Sequence, residues 1–308
     1  MKLYRIKIYP RSSYITPWQS DTLMGSLCWV ILQIYGESAL QEFLNCCLEG
    51  DYPFAVSDGF PGDLLPRPLF DLDHKAVEQV DRQEAMNHFA AFKRARKVQY
   101  VDLQEFNSIT SGKRVDLSPR GPVEASVATL HNSVSRFSGS TIDGSLFEEQ
   151  ERFGREDYMS LYAWIADSWL EKFTELIYGL SRKGYGRRSS VGKGAFDVES
   201  PELFGGFEKQ HETNAVVMFS NYVPAAQDPQ VGRYKAFIKY GKLGSEYTYL
   251  ENPFKKPVMM FKPGSVFWDE NPRAVYGRTI PDVSLEKKEV VHFGCSVAIP
   301  AYFDNSGL

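Results

Sequence analysis

The chain opens on strict alternation. Between Lys2 and Tyr9, Tyr4, Ile6 and Ile8 fall on one side and Arg5 and Lys7 on the other, the two-residue period of a half-buried strand. Arg11 to Ser13 and then Thr16-Pro17-Trp18 break the pattern. Ser20-Asp21-Thr22 supplies the polar residues that open a helix, with Asp21 expected to cap its own helix. Leu23, Leu27, Val30, Ile31 and Ile34 follow at helical spacing up to Gly36, with Cys28 on their apolar face. A shorter helix is expected from Ser38, turning Leu40, Phe43 and Leu44 inward. Asp51 to Pro68, rich in proline, glycine and acid, reads as an ordered loop. Asp81 to Lys97 reads as a helix whose basic end, Lys93 to Lys97, suits a solvated C-terminus.

Val115 to Gly144 is polar and follows neither the helical nor the strand period. Asp157 to Leu180 reads as one long helix, with Tyr162, Ala166, Trp169, Phe173, Leu176, Ile177 and Leu180 on a broad apolar face. Ala195 to Val198 is expected to be a short strand. Composition shifts over Ser200 to Glu212. Apolar stretches at Ala215–Phe219, Tyr234–Tyr240, Pro257–Phe261, Ser265–Trp268 and Val290–Ile299 then predict a β-rich second half. The expected fold class is α+β, with one domain over 1–200 and a second over 213–308. The order strand, helix, irregular β material, helix, strand fits a ferredoxin-like βαββαβ domain for the first.

Between the long helix and the short strand lies the most distinctive stretch, Ser181 to Ala195. It holds four glycines (Gly184, Gly186, Gly192, Gly194), five cations (Arg182, Lys183, Arg187, Arg188, Lys193) and no acid, in a chain of formal net charge -4. Glycines admit positive φ and close approach to a ligand, and arginine side chains and free N–H groups are what a phosphate chain binds. A mononucleotide P-loop is excluded. Five residues rather than four separate Gly186 from Gly192, Gly194 stands where the magnesium-binding hydroxyl belongs, and the loop follows a helix instead of opening one. The bland alternative is a solvated connection.

The acidic balance of the 308-residue chain argues against indiscriminate coating of nucleic acid and for local patches. Cys28, Cys46, Cys47 and Cys295 form neither a zinc spacing nor a disulfide framework. With no signal-like or membrane-length apolar segment, a reducing cytoplasm and no membrane partner are expected. The five histidines (His74, His88, His131, His211, His292) sit in no pattern with a second acid–base group, and no acidic or histidine cluster resembles a metal site. Neither cofactor nor metal is expected.

Thr16 to Trp29, Ser57 to Pro61 with Leu65 to Pro68, His131 to Gly139 with Gly144 to Phe147, and Gly184 to Gly194 together resemble the RAMP superfamily of CRISPR effector proteins. Within it they resemble the group that caps the 5′ end of the guide RNA. The nearest pattern is the fourth-subunit family of the type III-A Csm complex; the type III-D and type VII relatives look much alike. Tyr240 to Gly244, Asn252 to Pro257 and His292 to Pro300 carry the likeness through most of the chain. The resemblance implies two RRM-like domains, the second β-rich, with no cofactor and no catalysis of its own. It implies binding of the crRNA 5′ handle and contact with the backbone RAMP. The third partner is the large polymerase-like subunit in type III, or a β-CASP nuclease in type VII.

The expected RNA contacts are Lys183, Arg187, Arg188 and Lys193 for phosphate, with Ser189 and Ser190 as further donors. Tyr185 and Trp18 are expected to stack on bases or else to pack in the core. Ser20 and Ser26 mark the helix N-terminus as a phosphate site. His131, Asn132 and Arg136 lie in a segment that in the family projects over the guide as a hairpin. Two alternatives stand beside this reading: a metal-independent endoribonuclease with His131 as general base, and a pure protein scaffold.

Overall fold

The computed structural model describes residues 1–70, 86, 90, 93–113, 115–117, 120–210 and 212–303, and every structural statement concerns these. Residues 93–97 are helical; most of the helix expected over 81–97 lies outside the described residues. The first part of the chain runs β1 (Lys2–Pro10), α1 (Ser20–Tyr35), α2 (Glu37–Glu49), β2 (Phe54–Val56), β3 (Phe60–Pro61), β4 (Leu65–Pro66), β5 (Tyr100–Val101) and α3 (Leu103–Thr110). It continues with β6 (Glu124–His131), β7 (Phe147–Gly154), β8 (Met159–Ile165), α4 (Leu170–Lys183), β9 (Phe196–Val198) and β10 (Glu202–Leu203).

β1 behaves as its alternation predicts. Ile6 and Ile8 are fully buried while Arg5 and Lys7 stay on the other face. It lies inside an antiparallel sheet of order β10–β1–β8–β2, with β9 also on β1 and β3 also on β8. Helices α1 and α4 cover one face of this sheet. They approach closely at Gly179, where a Cβ would lie 2.7 Å from Val30 Cγ1. The sheet runs slightly past the expected boundary at 200, since Leu203 pairs with Tyr4 and the Phe204 N–H donates to the Leu3 carbonyl.

The long helix expected over 157–180 is two elements. Met159 to Ile165 is the strand β8, which pairs with β1 over seven residues and with β2 and β3 on its other edge. Helix begins only at Leu170, after a 3-10 turn at Asp167–Trp169. A strand buried on both faces is a continuous apolar run, so Tyr162 and Ala163 match a helical template as well as a strand. Pairing across the sheet decides between them.

The second part is β-rich, as expected. Its strands are β11 (Ala215–Met218), β12 (Gly232–Arg233), β13 (Ala236–Lys239), β14 (Val258–Phe261), β15 (Val266–Trp268), β16 (Val275–Tyr276), β17 (Thr279–Ile280), β18 (His292–Phe293) and β19 (Ser296–Ala301). Five form a sheet of order β12–β15–β11–β19–β16, while β13–β14 and β17–β18 are separate ribbons. The fold is therefore α+β.

One core spans both parts. Val217, Phe219, Val297 and Ile299 belong to the same buried cluster as Phe54, Phe60, Phe106 and Tyr162. Phe219 sits edge-on to Phe60 (5.6 Å), Phe106 (5.4 Å) and Tyr162 (5.7 Å). A polar seam crosses the same junction. Asp21 on α1 meets Lys239 on β13 at 3.0 Å, with both side chains largely buried.

Candidate nucleic-acid interface

The glycine loop is built around its own backbone. After α4 the chain turns through Gly184, Gly186, Arg188, Gly192 and Gly194, all at positive φ. The Tyr185 N–H donates to the Gly194 carbonyl at 2.9 Å, and the Lys193 N–H to the Arg188 carbonyl at 3.2 Å. Residues 12–16 pin the loop from below. Gly194 N–H reaches the Ser13 carbonyl (2.8 Å), Arg187 N–H reaches Thr16 Oγ1 (2.9 Å) and Ala195 N–H reaches Ser12 Oγ (3.0 Å). These five N–H groups, together with those of Gly184, Val191 and Gly192, are thus engaged within the protein. This reduces the cradle of free amides that glycine richness implies and leaves the side chains as the outward chemistry.

Gly194 has the tightest requirement. Its φ is +65°, and a Cβ would stand 2.0 Å from the Tyr185 carbonyl oxygen. Gly194→Ala should cost about 1–2 kcal/mol from the φ alone, plus the displacement of Tyr185. Limited proteolysis should then cut between 184 and 195 much faster than in the wild type, and equal rates would mean the loop tolerates the change.

Two expected stacking residues belong to the core instead. Trp18 and Tyr185 are 3% and 1% exposed and stack on each other, with centroids 4.3 Å apart and planes 14° from parallel. The Tyr185 hydroxyl donates to the Pro17 carbonyl (2.7 Å) and accepts from the Gln19 N–H (3.2 Å). Neither ring offers a face to a base. The α1 N-terminus is also closed as a phosphate site. Ser20 is buried, and its N–H donates to Asp58 Oδ1 at 2.9 Å. Asp58 also accepts from the Asn221 N–H (3.2 Å), and burial pushes its carboxyl up to about 7. Asp21 does not cap its own helix; it reaches across to Lys239. Ser26 Oγ donates to the Thr22 carbonyl within the helix at 2.8 Å.

The polar stretch before β8 is a hairpin. β6 and β7 pair over eight residues, from Glu124 opposite Gly154 to His131 opposite Phe147. A bridge between Tyr14 and Arg152 ties its base to the segment that pins the loop. Its tip, residues 132–146, is exposed, and Asn132 and Arg136 lie there. Sequence periodicity misses this hairpin because its strands bury few side chains. The available signal is the matched pair of eight-residue runs around a Gly- and Ser-rich turn.

The hairpin brings acid to the acid-free loop. Glu149 and Glu151 on β7 are 3% and 7% exposed and point at the loop cations. Arg188 Nε lies 2.9 Å and Arg187 Nη2 3.2 Å from the Glu149 carboxylate. Lys193 Nζ donates to Glu151 at 2.6 Å, and Ser13 Oγ donates to the same oxygen at 2.7 Å. These donors hold the Glu151 carboxyl below its ordinary value. His131 Nε2 is 3.7 Å from Glu149, and its ring stacks on Phe147 at 5.4 Å. Sequence reasoning paired His131 with no acid–base partner; the β6–β7 register supplies one.

Loop and hairpin therefore converge on one surface, where the Arg187 side chain is 62% and that of Arg188 31% exposed. Lys183 is exposed in the last turn of α4, Ser190 is exposed and Ser189 half-buried. Among the described residues no cluster of His, Cys, Asp or Glu is arranged to hold a metal ion, and no helix is long and apolar enough to cross a membrane.

No protein-family model matches the chain. It is 27% identical over 212 residues to the CRISPR system Cms protein Csm4 of Thermococcus onnurineus, covering 66% of this chain and 69% of the relative. A chain of the Csm1–Csm4 cassette in complex with pppApA superposes with TM-score 0.66 at 18% identity, covering 99% of this chain and 100% of that one. A chain of the Csm3–Csm4 subcomplex in the type III-A CRISPR-Cas interference complex gives TM-score 0.62 at 11% identity, covering 98% and 100%.

Proposed function

We propose that this chain, a Csm4-like RAMP protein, is the non-catalytic subunit of a type III CRISPR ribonucleoprotein that holds the crRNA 5′ handle at the foot of the complex. The observation that carries the reading is the surface shared by the glycine loop and the β6–β7 hairpin, where Arg187 and Arg188 present guanidinium groups beside an exposed hairpin tip. Guanidinium groups bind phosphate through several charge-assisted hydrogen bonds at once. The strand order β10–β1–β8–β2 supports reading the first domain, now ending near 203, as ferredoxin-like. The β-rich part from 213 onward is its reduced, RRM-like counterpart. The partners are the backbone RAMP and the large polymerase-like subunit, in a cytoplasmic complex; the relatives named with Csm1 and Csm3 support this pairing.

The alternative, metal-independent cleavage of precursor crRNA, draws on His131 beside Glu149 and two arginines. Its difficulty is access. A general base has to reach the proton it removes, and His131 Nε2 is closed to solvent without a hydrogen-bond partner. The scaffold reading gives the exposed Arg187 side chain no role beyond its ion pair with Glu149.

The test is fluorescence anisotropy of a short RNA carrying the repeat-derived 5′ tag against a scrambled one, with the backbone RAMP co-expressed and assayed alone as a control. Arg187→Ala/Arg188→Ala should weaken tagged RNA by roughly 10- to 100-fold at low salt and reduce the salt slope by about two. Equal affinity of variant and wild type would remove the loop from the interface. Shortened RNA after incubation without metal would instead establish the nuclease.

A further inference from the structure

Glu149 and Glu151 sit side by side on β7 and face the same loop, yet their carboxylates are held differently. Glu151 accepts well-formed hydrogen bonds from Lys193 Nζ and Ser13 Oγ. Glu149 is almost wholly buried, and neither of its oxygens has a partner in hydrogen-bonding geometry. Arg187 and Arg188 approach it at 3.2 and 2.9 Å and pair with it through charge alone, while the His131 ring lies 3.7 Å away. A buried carboxylate without hydrogen bonds is held weakly for the desolvation it suffers. The Arg188 backbone contributes to this posture. It takes the left-handed conformation at φ 61°, and its guanidinium lies over the Phe147 ring at 5.9 Å. The local charge follows directly. The three cations Arg187, Arg188 and Lys193 meet the two acids Glu149 and Glu151, which leaves one net positive charge where the loop sequence shows only cations.

We infer that Glu149 is a built-in competitor for RNA phosphate, which engages Arg187 and Arg188 until a ligand that also fits the hairpin displaces it, and so sets the selectivity of the glycine loop. Glu151 fixes the base of the loop and Glu149 sets the threshold above it. An arbitrary phosphate chain offers the arginines only an exchange of one anion for another. A guide segment that also contacts the hairpin tip adds interactions that Glu149 cannot match. Selectivity then comes from a penalty on the wrong ligand as much as from contacts to the right one.

This inference rests on the loop being the RNA site, and the test separates the two. Wild type, Glu149→Gln, Arg187→Ala/Arg188→Ala and the triple variant, each shown to be folded by thermal melts, are co-expressed with the backbone RAMP and titrated with labelled tagged and scrambled RNA at two salt concentrations, with the backbone RAMP assayed alone as the control. Glu149→Gln should tighten scrambled RNA roughly 3- to 10-fold, tighten tagged RNA less, and steepen the salt slope by about one as freed arginine charge meets phosphate. The gain should vanish in the triple variant. A gain that persists there is a general charge effect, and unchanged or weaker binding by Glu149→Gln makes the carboxylate a mere prop; either result overturns the inference while leaving the loop site intact. If wild type and Glu149→Gln both fail to bind RNA, the loop reading falls and this one with it.

Discussion

Trp18→Ala should lower the unfolding free energy by about 3–5 kcal/mol, the usual cost of deleting a large buried aromatic. The value follows from what surrounds the indole. Tyr185 stacks on one face, Phe196 meets it edge-on at 5.1 Å and Tyr14 at 6.2 Å. Gly59 packs so close that a Cβ there would lie 2.7 Å from Trp18 Cβ. The cavity left by alanine would open beneath the glycine loop, since Tyr185 rests on the indole and the Tyr185 N–H closes the loop onto Gly194. Urea unfolding of the variant checks the magnitude. Trp18→Phe, which keeps a ring in the stack, should retain most of the stability and bind RNA within about threefold of wild type. A residue that stacked on a guide base would behave in the opposite way. Stability would be nearly untouched, while affinity would fall by the roughly 1–3 kcal/mol typical of one lost base–aromatic contact.

The same contrast separates what was legible in the sequence from what was not. β1 and α1 could be read because each has one face in the core and one outside it, so its period survives in the sequence, whereas β11, buried along its whole length, could be read only as a short apolar run. β8 could not. At the centre of its sheet both faces are buried, and Met159 to Ile165 looks the same in either conformation. The β6–β7 hairpin came from the resemblance and not from periodicity, for the opposite reason: a ribbon that buries little has almost no apolar signal. The glycine loop was legible as composition, but its electrostatics were not. Glu149 and Glu151 lie more than thirty residues from Arg187 in the chain and reach it only through hairpin register. Trp18 and Tyr185 show the limit of residue type as a guide. Aromatics beside a basic loop suit a base and a core equally, and only their mutual stacking assigns them to the core.

Lys239→Met should destabilise the junction between the two parts by about 2–4 kcal/mol, below the upper range for a broken buried ion pair because Lys255 also lies close enough to interact with Asp21. Lys239 donates to Gln19 and to Asp21, and Asn221 Nδ2 donates to Asp21 Oδ1 at 3.4 Å. Removing the ammonium leaves Asp21 buried near Asp58, whose carboxyl burial and the Asp21 charge already push up to about 7. The pH dependence identifies the cause. A carboxyl whose folded pKa is raised contributes most stability below its unfolded pKa, about 3.9 for aspartate, and loses it as pH rises through the folded value. Without Lys239 the Asp21 charge beside Asp58 is less compensated, and the Asp58 carboxyl rises further in the folded state. The deficit of the variant against wild type should therefore be largest near pH 8 and shrink towards pH 5, as the seam takes up protons. Chemical denaturation at those two pH values measures it. A deficit independent of pH would mean that the lysine stem, packed along the seam, matters more than its charge. A shrinking deficit would identify Asp21–Lys239 as the ionic latch that joins the part carrying the glycine loop to the β-rich part behind it.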